Sequence, residues 1–423
     1  MVRQADVSYG CRTSILTTGL VLLILASVCD SQASAGDWPQ ILGPNRDGVV
    51  VGEKLLEKFP AGGPEELWRF PVGDGLAGVA VADDLVILFH REGNQDLCEG
   101  LDATTGKSRW KAGFPTRYVS GISEDQGPRC VPVLHQGVAY LYGAAGGLHA
   151  VEIKSGKKLW SRPINKEFNA PEGYFGAGST PLVEGDKLIV NIGSREGAGI
   201  VAFALKDGAT VWKSTSELAS YSAPVAVTHE GVRHLIVVTR LNTVSLDPAT
   251  GAVRWKLRFG QTGPTVNGAS PIVSGNHLFL TASYGIGAVL AEFTATEVKT
   301  VWTNDDTLSS QYPTPVLAGT VLYGIDGRQD VGQASLRCVE LLTGKVLWSQ
   351  DGFGMATLIR ADDKLLMLKT DGTLVLAKAT VEGYQELGSA SVFDTTARAL
   401  PALSNGRLFA RDTKVLKCLK VGR

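Results

Sequence analysis

The feature that most constrains this chain is a cassette that recurs along it. The first copy reads Gly100-Leu-Asp102-Ala-Thr-Thr105-Gly106-Lys107-Ser-Arg-Trp110: a small residue, an acid two places on, a Thr-Gly-Lys turn and a tryptophan. Glycine supplies the positive φ that a tight hairpin needs, and the flanking residues alternate as strands do. Related copies end at Trp160, Trp212, Trp255, Trp302 and Trp348, and Trp68 stands ahead of the first without a cassette. Successive tryptophans from Trp68 to Trp348 are 42, 50, 52, 43, 47 and 46 residues apart. Four short runs of alternating apolar residues fill each interval. A period of about 40–50 residues with four strands per unit predicts the blades of a β-propeller.

The ends of the repeat set the blade count. Counting from Val79, seven units are complete and an eighth has three strands, ending with Val415-Leu-Lys-Cys418. The segment 66–72 is a tryptophan strand without a blade. Joining it to the last unit predicts an all-β ring of eight four-stranded antiparallel blades, whose closure hides two open sheet edges. The tryptophans are expected to dock on neighbouring blades. The small cassette residues Gly100, Ala150, Ala202, Ser245, Ala291 and Ala377 leave room for them, and Cys338 and Cys418 occupy the same position. Two copies depart from the pattern: the fifth has Thr296-Glu297 for Thr-Gly, and the seventh has Leu387 where tryptophan is expected.

The composition agrees, with 50 glycines among 423 residues and only 3 methionines. A formal net charge of −1 with scattered Lys and Arg argues against a nucleic-acid surface. The six histidines show no metal-ligand spacing. Residues 1–35 read as a signal peptide: Arg3 and Arg12, the apolar run Ile15 to Val28, then Ala33-Ser34-Ala35 before the cleavage point. The run is shorter than the ~20 residues a bilayer span needs, so no membrane span is expected after cleavage. Val28 makes a poor lipidation context for Cys29. Export to the periplasm or cell envelope follows. The Pro- and Gly-rich stretch 36–65 is expected to form an irregular arm, and 66–423 the propeller.

The repeated Ala-x-Asp-x-x-Thr-Gly-Lys-x-x-Trp pattern resembles the tryptophan-docking motif of the pyrroloquinoline-quinone (PQQ)-like eight-bladed propellers. These include the quinoprotein alcohol dehydrogenases and the non-catalytic outer-membrane assembly factor BamB. The arm Asp37-Trp-Pro-Gln through Gly43-Pro-Asn-Arg-Asp-Gly48, with Gly127-Pro-Arg129, is similar to exported PQQ-like propellers of planctomycetes. The enzymes of this fold use adjacent cysteines against the quinone, Ca²⁺ ligands and an Asp base. This sequence has no Cys-Cys pair and no C-x-x-C-H haem site. The expectation is therefore a scaffold without cofactor or metal that binds an envelope protein or peptide-like ligand. The alternatives are a PQQ- and Ca²⁺-dependent or degenerate oxidoreductase and a polysaccharide-binding module.

Because the cassette repeats, function is expected where repetition fails. The longest loops from a tryptophan strand to the next blade are 111–130 and 161–179. With the shorter ones they supply Arg117, Tyr118, Glu124, Arg129, Glu172, Tyr174, Tyr221, Asn267, Gln311 and Tyr312 as candidate binding residues. No catalytic residue is assigned. Gly73-Asp-Gly75-Leu-Ala-Gly78 matches G-x-G-x-x-G, but a strand follows it. A dinucleotide site needs a helix N-terminus there.

Overall fold

The computed structural model describes residues 1–2 and 36–423. The chain divides into two compact units, Met1–Gln32 and Ala33–Arg423, and the second holds the whole strand architecture. Apart from Met1 and Val2, the expected signal peptide lies outside the described residues.

Eight sheets form the ring: seven contain a meander of four consecutive antiparallel strands, and the eighth is completed by a strand from the other end of the repeat. Blade one comprises Ala80–Ala82, Leu85–Glu92, Gln95–Asp102 and Ser108–Pro115. Blades two to seven span 133–162, 182–214, 225–258, 272–304, 316–350 and 356–391. Blade eight has three strands, Ala402–Ser404, Arg407–Arg411 and Val415–Lys420. Its fourth is Glu65–Pro71, which pairs antiparallel with Val415–Lys420 and places Trp68 opposite Cys418. The ring is closed by this pairing of the two ends of the repeat. Among the described residues no helix is long and apolar enough to cross a membrane.

The cassette works as a joint between blades. Across most pairs of third and fourth strands the small residue faces its own tryptophan: Gly100 opposite Trp110, Ala150 opposite Trp160, Ala202 opposite Trp212, Ser245 opposite Trp255 and Cys338 opposite Trp348. A Cβ on Gly100 would sit 2.3 Å from the Trp110 ring. Each indole then lies on the hairpin turn of the following blade. Gly106, at φ 69°, lies so close to Trp68 that a Cβ would come within 2.6 Å of the ring. The indole N–H donates to a carbonyl of that turn: Trp68 to Ala103 at 3.0 Å, Trp110 to Ile153 at 2.8 Å, Trp160 to Leu205 at 3.0 Å and Trp212 to Pro248 at 3.1 Å. Trp302 and Trp348 repeat the bond to Leu341 and Thr380.

The two irregular copies are where the joint changes. Trp255 faces the fifth blade, whose turn lacks Thr-Gly, and its Nε1 has no partner. The ring instead packs near Phe293 and His234, with centroids 5.8 and 6.4 Å away. Register also moves three assignments by one residue. In the fifth blade Leu290, not Ala291, faces Trp302. In the seventh Leu376, not Ala377, takes the small-residue place, and Gly388 rather than Leu387 stands where tryptophan is expected. The volume beside Gly388 is filled from elsewhere: Phe59 of the arm lies 2.9 Å from where a Gly388 Cβ would be.

The arm does more than cover a surface. Trp38 bridges to Val81 in blade one, and the Pro39 carbonyl accepts the Leu134 N–H of blade two at 2.8 Å. Arg46 donates to the Thr180 and Pro181 carbonyls of blade three at 3.0 and 2.9 Å. Val49–Val50 then pairs parallel with Ala356–Ala361, giving blade seven a fifth strand. Since the first strands are the innermost, this segment lies across one end of the axial channel. Arg46 is buried there without a carboxylate partner, and burial pulls its pKa down to about 9. Beyond it, the Glu53 carboxylate accepts the Asn405 and Gly406 N–H groups, and Leu56 bonds to Val421.

Trp212→Phe is expected to cost about 1 kcal/mol more than Trp255→Phe, because only Trp212 loses a hydrogen bond. Urea unfolding of both variants measures this, and equal costs would show that the indole bond contributes nothing to the joint.

Candidate functional site

The loops from each fourth strand to the next blade share one face of the ring with the turns between second and third strands. On this face lies a cleft of about 660 Å³ formed by blades two to four and the loop after blade four. The loop that follows blade two begins with the short helix Ile164–Glu167. It then runs out to Glu172 and Tyr174, both exposed. Tyr174 reaches over the cleft to the loop after blade four. Its hydroxyl donates to the Gly263 carbonyl at 3.3 Å, and the Arg240 guanidinium lies 5.9 Å from its ring centre. Tyr221 forms a wall, its hydroxyl accepting the Phe175 N–H at 2.8 Å. Burial raises the Tyr221 pKa to about 12, so the phenol stays protonated.

Four of the candidate residues thus line one cleft: Glu172, Tyr174, Tyr221 and Asn267. Two others brace it from behind. Tyr118 is buried, with its ring against Gly176 and its carbonyl accepting from Arg91 at 2.7 Å. Arg129 donates to the Phe175 carbonyl at 3.1 Å and pairs with Asp125, tying the loop after blade one to the loop after blade two. Arg117 and Glu124 are exposed on the loop after blade one, outside the cleft. Gln311 bonds to Tyr284 and Asp330, and Tyr312 to Gln329, between blades five and six. A second cleft of about 650 Å³ lies there, lined by Tyr284, Asp305, Asp326 and Arg337. Arg337 pairs with Asp326 at 3.1 Å and bonds to the Asp306 and Thr307 carbonyls, so its charges answer one another.

Sequence reasoning missed Asn191, Arg195 and Arg240, which line the first cleft. They lie at or beside the turns between second and third strands, whereas the candidates came from the loops between blades. Asn191 did carry a signal, a polar residue ending the otherwise apolar run Leu188-Ile-Val. It is buried, as is Asn267. Asn267 Nδ2 donates to the Thr239 carbonyl at 3.0 Å, and the Asn267 backbone carbonyl accepts the Tyr221 and Ser222 N–H groups at 3.0 Å.

The donor set does not fit a quinone held with Ca²⁺. The four described cysteines are buried separately, in four different repeats, and none lines the cleft. Among the described residues no group of three or more His, Cys, Asp or Glu could hold a metal ion.

The family model described as outer membrane protein assembly factor BamB matches residues 57–194 and, overlapping, 93–350. The chain belongs to this family of PQQ-like propellers. BamB of Yersinia pestis is 24% identical over 249 residues, which is 55% of this chain and 61% of that protein. The chain therefore spans less than two thirds of the length of that relative. The crystal structure of BamB from Moraxella catarrhalis superposes with a TM-score of 0.61 at 19% identity, covering 84% of this chain and 99% of the other. The quinohemoprotein alcohol dehydrogenase of Comamonas testosteroni gives 0.64 at 13% identity, covering 92% and 81%. At these identities the superpositions speak for the fold, which scaffold and dehydrogenase share.

Behind the cleft, Asp96 gives the folding stability a pH dependence. It is buried against Gly143, and burial raises its pKa to about 7 although Arg91 and Arg129 pull the other way. The folded protein therefore holds this proton more tightly than the unfolded chain, whose carboxyl titrates near 3.8. Its contribution to stability is complete below that value and is lost as pH rises through about 7. Asp96→Asn is expected to flatten this part of the stability profile and to gain on the parent above pH 7. Thermal melts from pH 4 to 8 that keep the same slope in both proteins would refute the assignment.

Proposed function

We propose that this chain is an exported, BamB-like scaffold that holds a protein or peptide-like partner at the mouth of the propeller. The observation that carries the reading is the cleft itself. Its aromatic and polar walls are built from loops that do not repeat, on a ring whose repeating parts are all engaged in holding blades together. Two relatives named as outer membrane protein assembly factors, and a family model of that description, support a partner in the cell envelope. The signal-like segment 1–35 supports export. The working surface is then Glu172, Tyr174, Tyr221 and Asn267, with Arg129 and Tyr118 holding the loops in place. Arg117 and Glu124 extend the surface outward, and Gln311 and Tyr312 lie beyond it.

A photo-crosslinking residue at position 174 is expected to capture an envelope protein in cells expressing the full chain. The same residue at Leu342, exposed on the third-to-fourth-strand turn of blade six, should capture none. Equal capture from both positions, or none at 174, would count against a partner at the mouth. Alcohol oxidation by purified protein supplied with PQQ and Ca²⁺ would replace the scaffold with a dehydrogenase.

A further inference from the structure

In the cleft formed by blades two to four and the loop after blade four, the side-chain donors around Asn191 and Asn267 are largely engaged and two acceptors are left over; among the described residues the donors that stay free are the Arg195 guanidinium at the rim and the Tyr221 hydroxyl. Tyr142 donates to Asn165 at 2.6 Å, Ser220 to the Val238 carbonyl at 2.5 Å, and Tyr174 to the Gly263 carbonyl. Arg240 donates to Thr265 and to the Gly263 carbonyl, and Asn169 to Glu196 at 3.0 Å. On the acceptor side, Asn191 Oδ1 and Asn267 Oδ1 are buried with no partner. Neither amide can be turned to remedy this. Asn191 Nδ2 donates to the Val238 carbonyl at 3.2 Å, and Asn267 Nδ2 to the Thr239 and Arg240 carbonyls. Reversal would set oxygen against oxygen. At the rim the Glu172 carboxylate is exposed, with no ion partner among the described residues.

A ligand that matches such a lining donates and does not accept. Backbone amides and sugar hydroxyls bring acceptors that would need donors, and beside Asn191 and Asn267 the Nδ2 groups are already spent on backbone carbonyls. An ammonium has three donors and a guanidinium five, and neither has an acceptor. Both also favour aromatic faces; the Tyr221 ring walls the cleft, while the Tyr174 ring already has the Arg240 guanidinium 5.9 Å from its centre. We propose that the cleft takes the Lys or Arg side chain of a partner segment, with Asn191 and Asn267 receiving its N–H groups and Glu172 facing its charge. This deepens the scaffold reading and rests on it. Arg195 and Arg240 also line the cleft and are balanced by Glu172 and Glu196. Two charges oppose the tip: Arg240, held against the loop after blade four beside the Tyr174 ring, and Arg195, exposed at the rim. Both orphaned oxygens are covered in the free protein, so the wall has to yield as the tip enters. The 3.3 Å bond from Tyr174 to Gly263 is the longest tie across it.

Calorimetric titration of the full chain with capped Gly-Gly-X-Gly-Gly peptides tests this. With X as Arg or Lys, binding at low salt is expected to be about tenfold tighter than with norleucine or Gln. Asn191→Leu or Asn267→Leu removes the preference. Glu172→Gln, on an exposed side chain that folding does not need, weakens it about threefold. Arg195→Gln, which removes the opposing charge at the rim, tightens it. Norleucine or Gln binding as tightly as Arg overturns the proposal, as does a preference untouched by Glu172→Gln. Binding of methyl glucoside or Ca²⁺ in place of the basic peptides also overturns it. Failure here with crosslinking at position 174 intact leaves the scaffold reading standing. Basic-peptide binding without any crosslinked partner removes that reading instead.

Discussion

Everything in this propeller depends on an indole from one blade lying on the hairpin turn of the next. The contact couples three local requirements. In most joints the turn carries glycine so that the ring can approach, the residue opposite the tryptophan is small, and a turn carbonyl accepts the indole N–H; Trp302, opposite Leu290, departs from the second. Each is modest alone. Seven indoles, from Trp68 to Trp348, set the angle at seven of the eight junctions, and Phe59 beside Gly388 fills the eighth, so the ring closes. The fifth blade shows the coupling by its failure. Without Thr-Gly at the turn, Trp255 keeps its apolar contacts with Phe293 and loses its hydrogen bond.

A ring made from one chain has to end, and the end is where the repeat is rewritten. Blade eight has no third-to-fourth-strand hairpin, because its outer strand is Glu65–Pro71 and its third strand comes from the other end of the repeat. An indole on blade seven would have no turn to dock on. The chain puts Gly388 there and fills the gap with Phe59 from the arm, while Leu55 and Leu56 bond to the last residues of blade eight. The same arm crosses the end of the channel and buries Arg46 against carbonyls of blade three. Joint, closure and arm form one continuous solution to the problem of sealing the ring.

The mouth follows a different logic. Its loops are freed from the repeat, so they can differ, and the differences collect on blades two to four and the loop after blade four. There the loop after blade two spans to the loop after blade four through Tyr174. Asn191 and Asn267, both tied through their Nδ2 groups to the turn of blade four, leave acceptors unanswered beneath it. Much of this was within reach of the sequence: the two long loops stood out, and Glu172, Tyr174, Tyr221 and Asn267 came from scanning loops alone. Arg129 and Tyr118 were also picked, but the structure turns them inward as braces. A charged or aromatic side chain in a loop looks the same in sequence whether it faces solvent or the neighbouring loop.

By itself the sequence determined the architecture, because the joint is local: a small residue, a turn glycine and a tryptophan lie within eleven positions, and their recurrence counts the blades. It also showed where the pattern breaks. Only the tertiary structure decided what those breaks become. That Phe59 stands in for an indole 329 positions away at Gly388, or that Asn191 and Asn267 converge on one turn, depends on which segments the closed ring brings together. Contacts between distant segments carry no spacing that a single chain can display, and the cleft is made entirely of such contacts.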